Sequence, residues 1–415
     1  AHIDKTAHFI THYEPVRLVQ KLLNNDELRT ELITKFGEEH FSMLEDWLGE
    51  IATDNPHADP NDVLGKTIEW MRTNATIAIM GFSATTGLTQ VLGYANSIDA
   101  LAKQPDGSYS PRKGLKWVRV GVMKYLKNPA QVSREVFALS GEMRHRFQNT
   151  DRDIRHAMVK LDGKKGAWKS MQRMSLMHIA AIQVYTVDIP TWLGAYNMAL
   201  SEGHADADAI KFADKTVRKS QTAGGTKDLA KVQRVPGAVK MLTMFYSYFS
   251  LLFNLQAEAL GNVKSVKDVP QLVARILVLM VFTQMMEGLM RRDGPDEEDD
   301  ESYLEWLLFR TITFGGASMP VIRDLIGVAE GFGYGVTPVD GFGSSLTGTF
   351  KGLAKAYEEG ELKTSVIKNL VKTFGFLFGA PVTQTNRVID ATEQMFGGEL
   401  DPYAFLVGPD RRERN

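Results

Sequence analysis

The feature that most constrains the fold is a pair of apolar segments within residues 236–292. The first, residues 241–256, carries no charge between Lys240 and Glu258. A helix that is apolar on nearly all sides is either buried in protein or in contact with lipid. The second segment, residues 272–290, has a similar composition. The two segments therefore predict two long apolar helices.

Polar residues in both segments follow helical spacing. In the first segment they are three or four residues apart: Thr243, Ser247, Ser250, Asn254 and Glu258. In the second they fall at multiples of four, interrupted by Leu279: Gln271, Arg275, Thr283, Glu287 and Arg291. Each helix should therefore carry one narrow polar stripe. Because the loop of residues 262–269 is short, the helices should be antiparallel neighbours, and we predict a hydrophobic helical hairpin.

Large apolar side chains of the hairpin are the candidate membrane or assembly contacts. These are Phe245, Tyr246, Tyr248, Phe249, Phe253, Ile276, Leu277 and Phe282. Arg275 and Glu287 oppose insertion into a bilayer, but they lie toward opposite ends of their segment, where snorkelling lowers the cost. The uncharged core of the first helix is only just long enough to span a bilayer. Insertion and burial within a helical assembly both remain open.

Composition places the chain among globular proteins. Its 415 residues are 44% hydrophobic and 24% charged, with a net charge of -2, so no overall field points to nucleic acid. The absence of cysteine excludes disulfides and thiolate metal sites. Residues 1–4 show neither an initiator methionine nor an apolar leader, so we expect a processed product or a piece of a longer chain.

Helical periodicity recurs along the whole chain, and alternating β-type runs are scarce. We therefore predict an all-α fold, a large irregular multi-helix bundle with the hydrophobic hairpin at its centre. Its predicted parts are an N-terminal helical region (1–110), a basic helical region (111–235), the hairpin (236–292), an acidic linker (293–302) and a C-terminal helical region (303–415).

A second uncharged stretch, residues 73–98, is rich in small and hydroxyl residues. Ser83 and Gly87 form a small-xxx-small pair, which allows close helix approach in membranes. The alternative is tight packing inside a helical bundle. The several Thr, Asn and Gln side chains dilute the hydrophobicity and favour this alternative.

Residues 112–173 are strongly basic, with 16 Lys and Arg against five acids. A basic patch of this size can bind phosphate backbones or anionic lipid head groups. The candidate contacts are Lys113, Lys116, Arg119, Lys124, Arg144, Arg146, Arg152 and Arg155. The alternative is a solvated helix face whose charge is balanced by acids elsewhere, notably residues 293–301.

Patterns typical of catalytic sites are missing. His2, His8 and His12 come nearest to a metal cluster, but no carboxylate stands at a diagnostic spacing. The sequence has no nucleophile elbow, dinucleotide fingerprint or His-Glu-x-x-His motif. We therefore predict no catalytic residue, metal site or cofactor, and no enzyme activity in this chain.

Several loose motifs together carry a family resemblance. They are Trp70–Asn74 entering the small-residue stretch, Ala213–Gln221, the aromatic run Phe245–Asn254, and Gly379–Arg387 followed by Gly397 and Asp401-Pro402. From about residue 60 to its end, the chain resembles the C-terminal helical domain of giant bacteriophage polyvalent or internal virion (ejection) proteins. The virion RNA polymerases of N4-like phages are of this type.

The resemblance implies a structural protein that lies in the virion interior and moves to the host cell envelope after ejection. It would assemble as a homo-oligomer into a conduit for genome delivery. Its implied partners are other ejection, portal or tail proteins, phage DNA and the host membrane. No catalytic residue is implied, and any polymerase activity would lie outside this fragment. An alternative is a DNA-binding accessory or antirestriction module that is injected with the genome.

Overall fold

The computed structural model describes residues 2–53, 62–104, 107–234, 239–292, 294–295, 302–316, 338–398 and 401–408. These residues are mostly helical and contain no β-strand, although Lys103 and Tyr109 form an isolated antiparallel bridge. The predicted all-α class and multi-helix bundle are therefore confirmed. Most of the predicted acidic linker lies outside the described residues.

The helices of the first half precede the hydrophobic hairpin. They are α1 His2–Leu23, α2 Asp26–Phe36, α3 Glu38–Thr53, α4 Val63–Met80, α5 Ala84–Thr89, α6 Gly93–Ala102, α7 Pro111–Lys127, α8 Pro129–Leu139, α9 Gly141–His145, α10 Arg152–Leu161, α11 Ala167–Gln183, α12 Ile189–Ser201 and α13 Asp206–Ser220. Side-chain caps fix several of their starts. For example, Ser110 accepts a hydrogen bond from the Lys113 amide, and Pro111 occupies the first turn of α7.

The remaining helices include the hairpin and the C-terminal region. They are α14 Lys231–Arg234, α15 Val239–Leu242, α16 Ser247–Gly261, α17 Val269–Ile276, α18 Phe282–Arg291, α19 Tyr303–Gly316, α20 Pro338–Glu359, α21 Thr364–Phe378, α22 Thr383–Phe396 and α23 Ala404–Val407. A π-helical turn, Leu277–Val281, joins α17 to α18. Together with the turn Val266–Asp268, they form one helix of 26 residues, Val266–Arg291.

The largest hydrophobic core lies between α6, α7, α12 and α13. Helices α7 and α12 cross at two glycines. A Cβ at Gly121 would lie 1.9 Å from the Pro190 carbonyl oxygen, and one at Gly194 would lie 2.5 Å from the Trp117 oxygen. Only glycine allows backbones to approach this closely. The core includes Ile98 from the predicted N-terminal region and Trp117 from the predicted basic region.

The small-residue stretch is divided between two helical segments. Val63–Met80 and Ala84–Ala102 are bent by 83° relative to each other, and together they are apolar and long enough for one broken membrane span. Ser83 caps the second segment by accepting a hydrogen bond from the Thr86 amide. Most residues of the stretch are buried among other helices. This burial favours tight packing within the bundle.

The first hairpin helix differs from the prediction, because it begins at Ser247 and not at Met241. Phe245 has a left-handed backbone, with φ of 59°, which interrupts the helix. Its amide donates a 2.7 Å hydrogen bond to Asp153, while Arg152 donates to the carbonyl and hydroxyl oxygens of Thr243. These buried charged groups take up the backbone polar groups that a continuous helix would have used.

The two hairpin helices are antiparallel, as predicted. Near the loop, the guanidinium of Arg275 donates a hydrogen bond to the Leu255 carbonyl and lies 3.8 Å from Glu258. Farther from the loop, burial and the charge of Glu287 raise the pKa of the Tyr248 hydroxyl. The second helix also packs against α6 and α19.

Candidate functional site

The long helix Val266–Arg291 has its polar stripe buried and its apolar surface exposed. Arg275 and Thr283 are each 1% exposed, and the other three members of the stripe are partly buried: Gln271, Glu287 and Arg291. The predicted stripe therefore exists, but it faces the protein interior. A surface helix of a water-soluble protein normally shows the opposite arrangement.

The outward surface of this helix is almost entirely apolar. Its exposed large apolar residues are Val266, Val269, Val273, Ile276, Leu277, Phe282, Met285 and Leu289, and Lys267 is its one exposed charged residue. Only 28% of its most apolar window is buried, and the mean hydropathy of that window is 1.7. Among the described residues, it is the one unbroken helix long and apolar enough to cross a membrane.

The neighbouring helix α19 extends this apolar surface. It packs against the π-helical turn and α18. Trp306 and Leu307 face inward, whereas its exposed large apolar residues are Tyr303, Leu304, Leu308, Phe309 and Ile312. We call the exposed apolar residues of the long helix and of α19 the apolar surface. Groups of exposed large apolar residues on neighbouring helices often mark an interaction site.

A buried ion pair fastens the long helix to the bundle. Arg275 donates to both carboxylate oxygens of Asp99 at 2.8 and 2.9 Å, and neither side chain is more than 1% exposed. The Tyr109 hydroxyl also donates to Asp99, and Lys103 lies 3.3 Å from it. Arg275 therefore does not extend toward the end of its helix, as the snorkelling argument expected, because its charge is neutralised inside the protein.

The predicted hairpin contacts fall into two groups. Tyr246 is buried and Phe245, Tyr248 and Phe249 are partly buried, so these four stabilise the bundle. The other predicted contacts are exposed: Phe253, Ile276, Leu277 and Phe282. Three of these four belong to the apolar surface. The aromatic run of the first helix thus contributes less to that surface than its composition indicated.

Two predicted basic contacts lie in the core and not at a surface. Arg146 is fully buried and donates a 2.8 Å hydrogen bond to Asp188. Arg152 is 4% exposed and binds Asp153, the Gln233 carbonyl and Thr243. Because both are buried, neither guanidinium can contact DNA or lipid. Local spacing does not reveal the pair of Arg146 with Asp188, 42 residues later, or the contacts of Arg152 with Gln233 and Thr243.

A buried charge cluster surrounds Asp153. Arg72 donates two hydrogen bonds to one of its oxygens, at 3.0 and 2.8 Å, and Arg152 donates to both of its oxygens. Burial raises the pKa of Asp153, but the charges of Arg152 and Arg72 outweigh it and lower this pKa to about 2. The cluster therefore holds an ionised carboxylate in the core and is structural.

The other predicted basic residues lie nearer the surface. Arg155 is partly buried and donates to the Gly224 carbonyl, and Arg144 is exposed and donates to the Phe137 carbonyl. The remaining four belong to α7: Lys113, Lys116, Arg119 and Lys124. Lys113 pairs with Glu202, and Lys124 donates to Asn197.

The spacing in α7 places its basic residues on one side of the helix. Lys116, Arg119 and Lys124 are exposed there. This face of α7 is the part of the predicted basic region that remains available to an anionic partner.

No metal site emerges among the described residues. No group of three or more His, Asp or Glu side chains in that part of the chain could hold an ion. The side chains of His2 and His8 lie outside the described residues, and His12 forms a hydrogen bond with the adjacent Thr11.

Asp99 is the residue that the sequence reasoning missed. It is the lone charge between Thr73 and Ala102, and Arg275 is the lone charge between Asp268 and Glu287. Two opposite charges, each isolated in an apolar segment, are a detectable sign of a buried ion pair, because neither could be buried unpaired.

No protein-family model, curated protein or solved structure matches this chain.

Proposed function

We propose that this chain is a structural phage virion protein that assembles, after ejection, into an oligomeric conduit for the genome across the host envelope. The observation that carries the proposal is the apolar surface on the helix Val266–Arg291. A protein that works only in water gains nothing from burying a polar stripe while exposing Leu277 and Leu289. In a protein that enters a bilayer or an assembly, the same arrangement places the exposed leucines against lipid or against another subunit.

The dimensions of the long helix suit a bilayer. At about 1.5 Å per residue, its 26 residues extend about 39 Å, more than the roughly 30 Å of the hydrocarbon core. Its longest unbroken apolar run, Ile276–Phe282, follows Arg275 directly. The helix therefore has sufficient length to cross with some tilt.

The ion pair between Arg275 and Asp99 removes the main objection to insertion. An unpaired arginine in the middle of a bilayer costs about 2.5 to 3.5 kcal/mol or more. Here its guanidinium is hydrogen-bonded on the protein side of the helix, away from the apolar surface. We propose that the bundle carries this polar stripe while the opposite side of the helix meets lipid.

The basic face of α7 supplies a surface for the cargo or for head groups. Lys116, Arg119 and Lys124 are exposed there, and phosphate contacts by such residues give salt-sensitive binding without sequence specificity. In the proposed conduit, copies of the chain would place these faces toward phage DNA or anionic lipid.

Liposome co-flotation with dye leakage tests the proposal. The test variant carries Leu277→Asp and Leu289→Asp, both at exposed positions, 52% and 71%. The matched control carries Leu139→Asp and Leu362→Asp, on exposed leucines (46% and 51%) outside both the apolar surface and the basic face of α7. An aspartate near the helix centre lowers insertion by on the order of 100-fold. We expect flotation and leakage with wild type and control, and neither with the test variant.

Two results would count against membrane entry. If wild type remains in the soluble fraction at low and high salt, the apolar surface is not a lipid contact. If the test variant instead changes from oligomer to monomer in sizing experiments, the apolar surface is an interface between subunits. Salt-sensitive duplex binding by a monomer without lipid association would favour the DNA-binding accessory.

A further inference from the structure

A second surface feature is a cleft of about 570 Å³ that is separate from the apolar surface. It lies between α4, the end of α10 with the following turn, the start of α11 and the end of α21. Its size is typical of a ligand pocket. Four lysines and two exposed tryptophans contribute to its lining: Lys66, Lys160, Lys164, Lys169, Trp70 and Trp168.

The walls of the cleft are fixed by side chains that hold the end of α21. Asn74 donates a 2.8 Å hydrogen bond to the Leu377 carbonyl, and Gln172 donates one of equal length to the Phe378 carbonyl. The Trp168 indole N–H donates to the same Phe378 oxygen at 3.1 Å. These bonds join residues more than 200 positions apart in the chain. The cleft is therefore part of the folded structure and not an irregularity of one loop.

The cleft carries an excess of positive charge. Among the described residues that line it, Glu69 is the only acid, and it is already engaged by Lys240 at 3.0 Å and His156 at 2.7 Å. Within the described ranges, Lys66 and Lys164 pair with no carboxylate. Burial and, to a smaller extent, the charge of Lys164 lower the pKa of Lys169.

The tryptophans place large aromatic rings beside these charges. Trp70 is 46% exposed, and Trp168 is 42% exposed with its ring packed edge-on against Phe374. The hydrogen bond and the ring contact hold Trp168 in one orientation. Proteins that bind single-stranded nucleic acid combine basic groups for the phosphates with aromatic rings on which bases stack.

We propose that this cleft binds a short segment of single-stranded nucleic acid, with phosphates against the lysines and bases stacked on Trp70 and Trp168. A duplex does not fit this chemistry as well, because its bases are already stacked on each other. A flat bilayer surface does not match a concave site. The proposal does not depend on the apolar surface or on membrane entry.

Fluorescence anisotropy with a labelled oligothymidylate and the full chain tests the proposal. The first variant carries Lys66→Gln and Lys164→Gln. The matched control carries Lys267→Gln and Lys351→Gln, which removes the same charge from exposed positions outside the cleft. For single strands, each neutralised phosphate contributes about -0.7 to the log–log salt slope. The cleft variant should therefore have a slope shallower by about 1.4, whereas the control keeps the wild-type slope.

A Trp70→Ala variant separates stacking from charge. We expect it to weaken binding by at least about fivefold with the salt slope unchanged. Its thermal unfolding should match wild type, which shows that the cleft is intact. The same variants are also tested for flotation with vesicles that contain phosphatidylserine.

Three outcomes would overturn the proposal. The first is no binding of the oligonucleotide at low salt. The second is an equal loss in the cleft and control variants, which indicates non-specific attraction. The third is a loss in the cleft variant for vesicles but not for the oligonucleotide, which indicates a head-group site. None of them bears on the leucine variants of the apolar surface, so the two proposals can fail separately.

Discussion

Arg275 and Asp99 form a buried, bidentate ion pair that links the long helix Val266–Arg291 to α6. Both hydrogen bonds are shorter than 3.0 Å, and both side chains are buried. Asp99 is the lone charge between Thr73 and Ala102, and Arg275 is the lone charge between Asp268 and Glu287. The pair therefore fixes which side of the helix Val266–Arg291 faces the bundle, and in consequence which side remains exposed.

Removing one member of this pair should destabilise the protein strongly. We expect Arg275→Met to lower the free energy of unfolding by about 3 to 5 kcal/mol, because Asp99 is left buried and without its main partner. The control Lys211→Met breaks an exposed pair with Asp208 and should cost less than about 1 kcal/mol. Urea unfolding of both variants measures the difference. Equal costs would show that the buried pair has no special role.

A double-mutant cycle isolates the coupling between the two residues. Asp99→Asn should also destabilise, and the double variant should lose less than the sum of the single variants. Additive losses would mean that Arg275 and Asp99 act independently. In that case the ion pair does not set the rotation of the long helix.

Because α7 and α12 cross closely at Gly121, one added methyl group there should lower the free energy of unfolding. Gly121→Ala would place a Cβ 1.9 Å from the Pro190 carbonyl oxygen, so the helices must separate. We expect a loss of about 2 kcal/mol or more in the free energy of unfolding. Gly49→Ala in α3 meets no atom within 4 Å and should stabilise by up to about 1 kcal/mol. Thermal unfolding compares the two variants, and a neutral Gly121→Ala would contradict the close crossing.

The partly buried position of His156 should make the free energy of unfolding depend on pH. It lies 2.7 Å from Glu69, with Arg72 and Asp153 nearby, and burial lowers its pKa from the ordinary value of 6.5. Because the folded pKa lies below the unfolded one, acidification protonates the unfolded chain first. The stabilising effect is therefore present above about pH 6.5 and is lost as pH falls through the folded pKa.

The variant His156→Gln measures this contribution. The wild-type free energy of unfolding should fall relative to the variant between pH 7 and pH 5, with a slope of at most about 1.4 kcal/mol per pH unit. Urea titrations at several pH values give the slope. A difference that grows on acidification would mean that the pKa of His156 is raised in the folded state.

Helical periodicity was sufficient to predict the fold class and several elements. The all-α class is confirmed, and Arg275 and Thr283 of the predicted polar stripe lie on one buried side of the long helix. Local patterns report such features because they depend on residues three and four positions apart. The stripe faces the bundle because Arg275 pairs with Asp99 in another helix. Local spacing cannot show this orientation.

The corrections all involve contacts between distant parts of the chain. The break at Phe245 depends on Asp153, 92 residues earlier, and the cleft depends on a bond between Asn74 and Leu377, 303 residues apart. The prediction for Arg152 placed it on a basic surface because composition counts charges without their partners. Sequence reasoning therefore described the helices better than the sites between them.

Depth-resolved labelling of Leu277 tests the central claim most directly. The chain has no cysteine, so Leu277→Cys and the control Leu362→Cys each give one labelling site for an environment-sensitive dye. With liposomes, we predict a blue-shifted emission at position 277 that lipid-attached quenchers in the bilayer core suppress, and no change at position 362. An unchanged emission at position 277, with the protein folded and vesicles in excess, would contradict the account of a membrane-contacting helix.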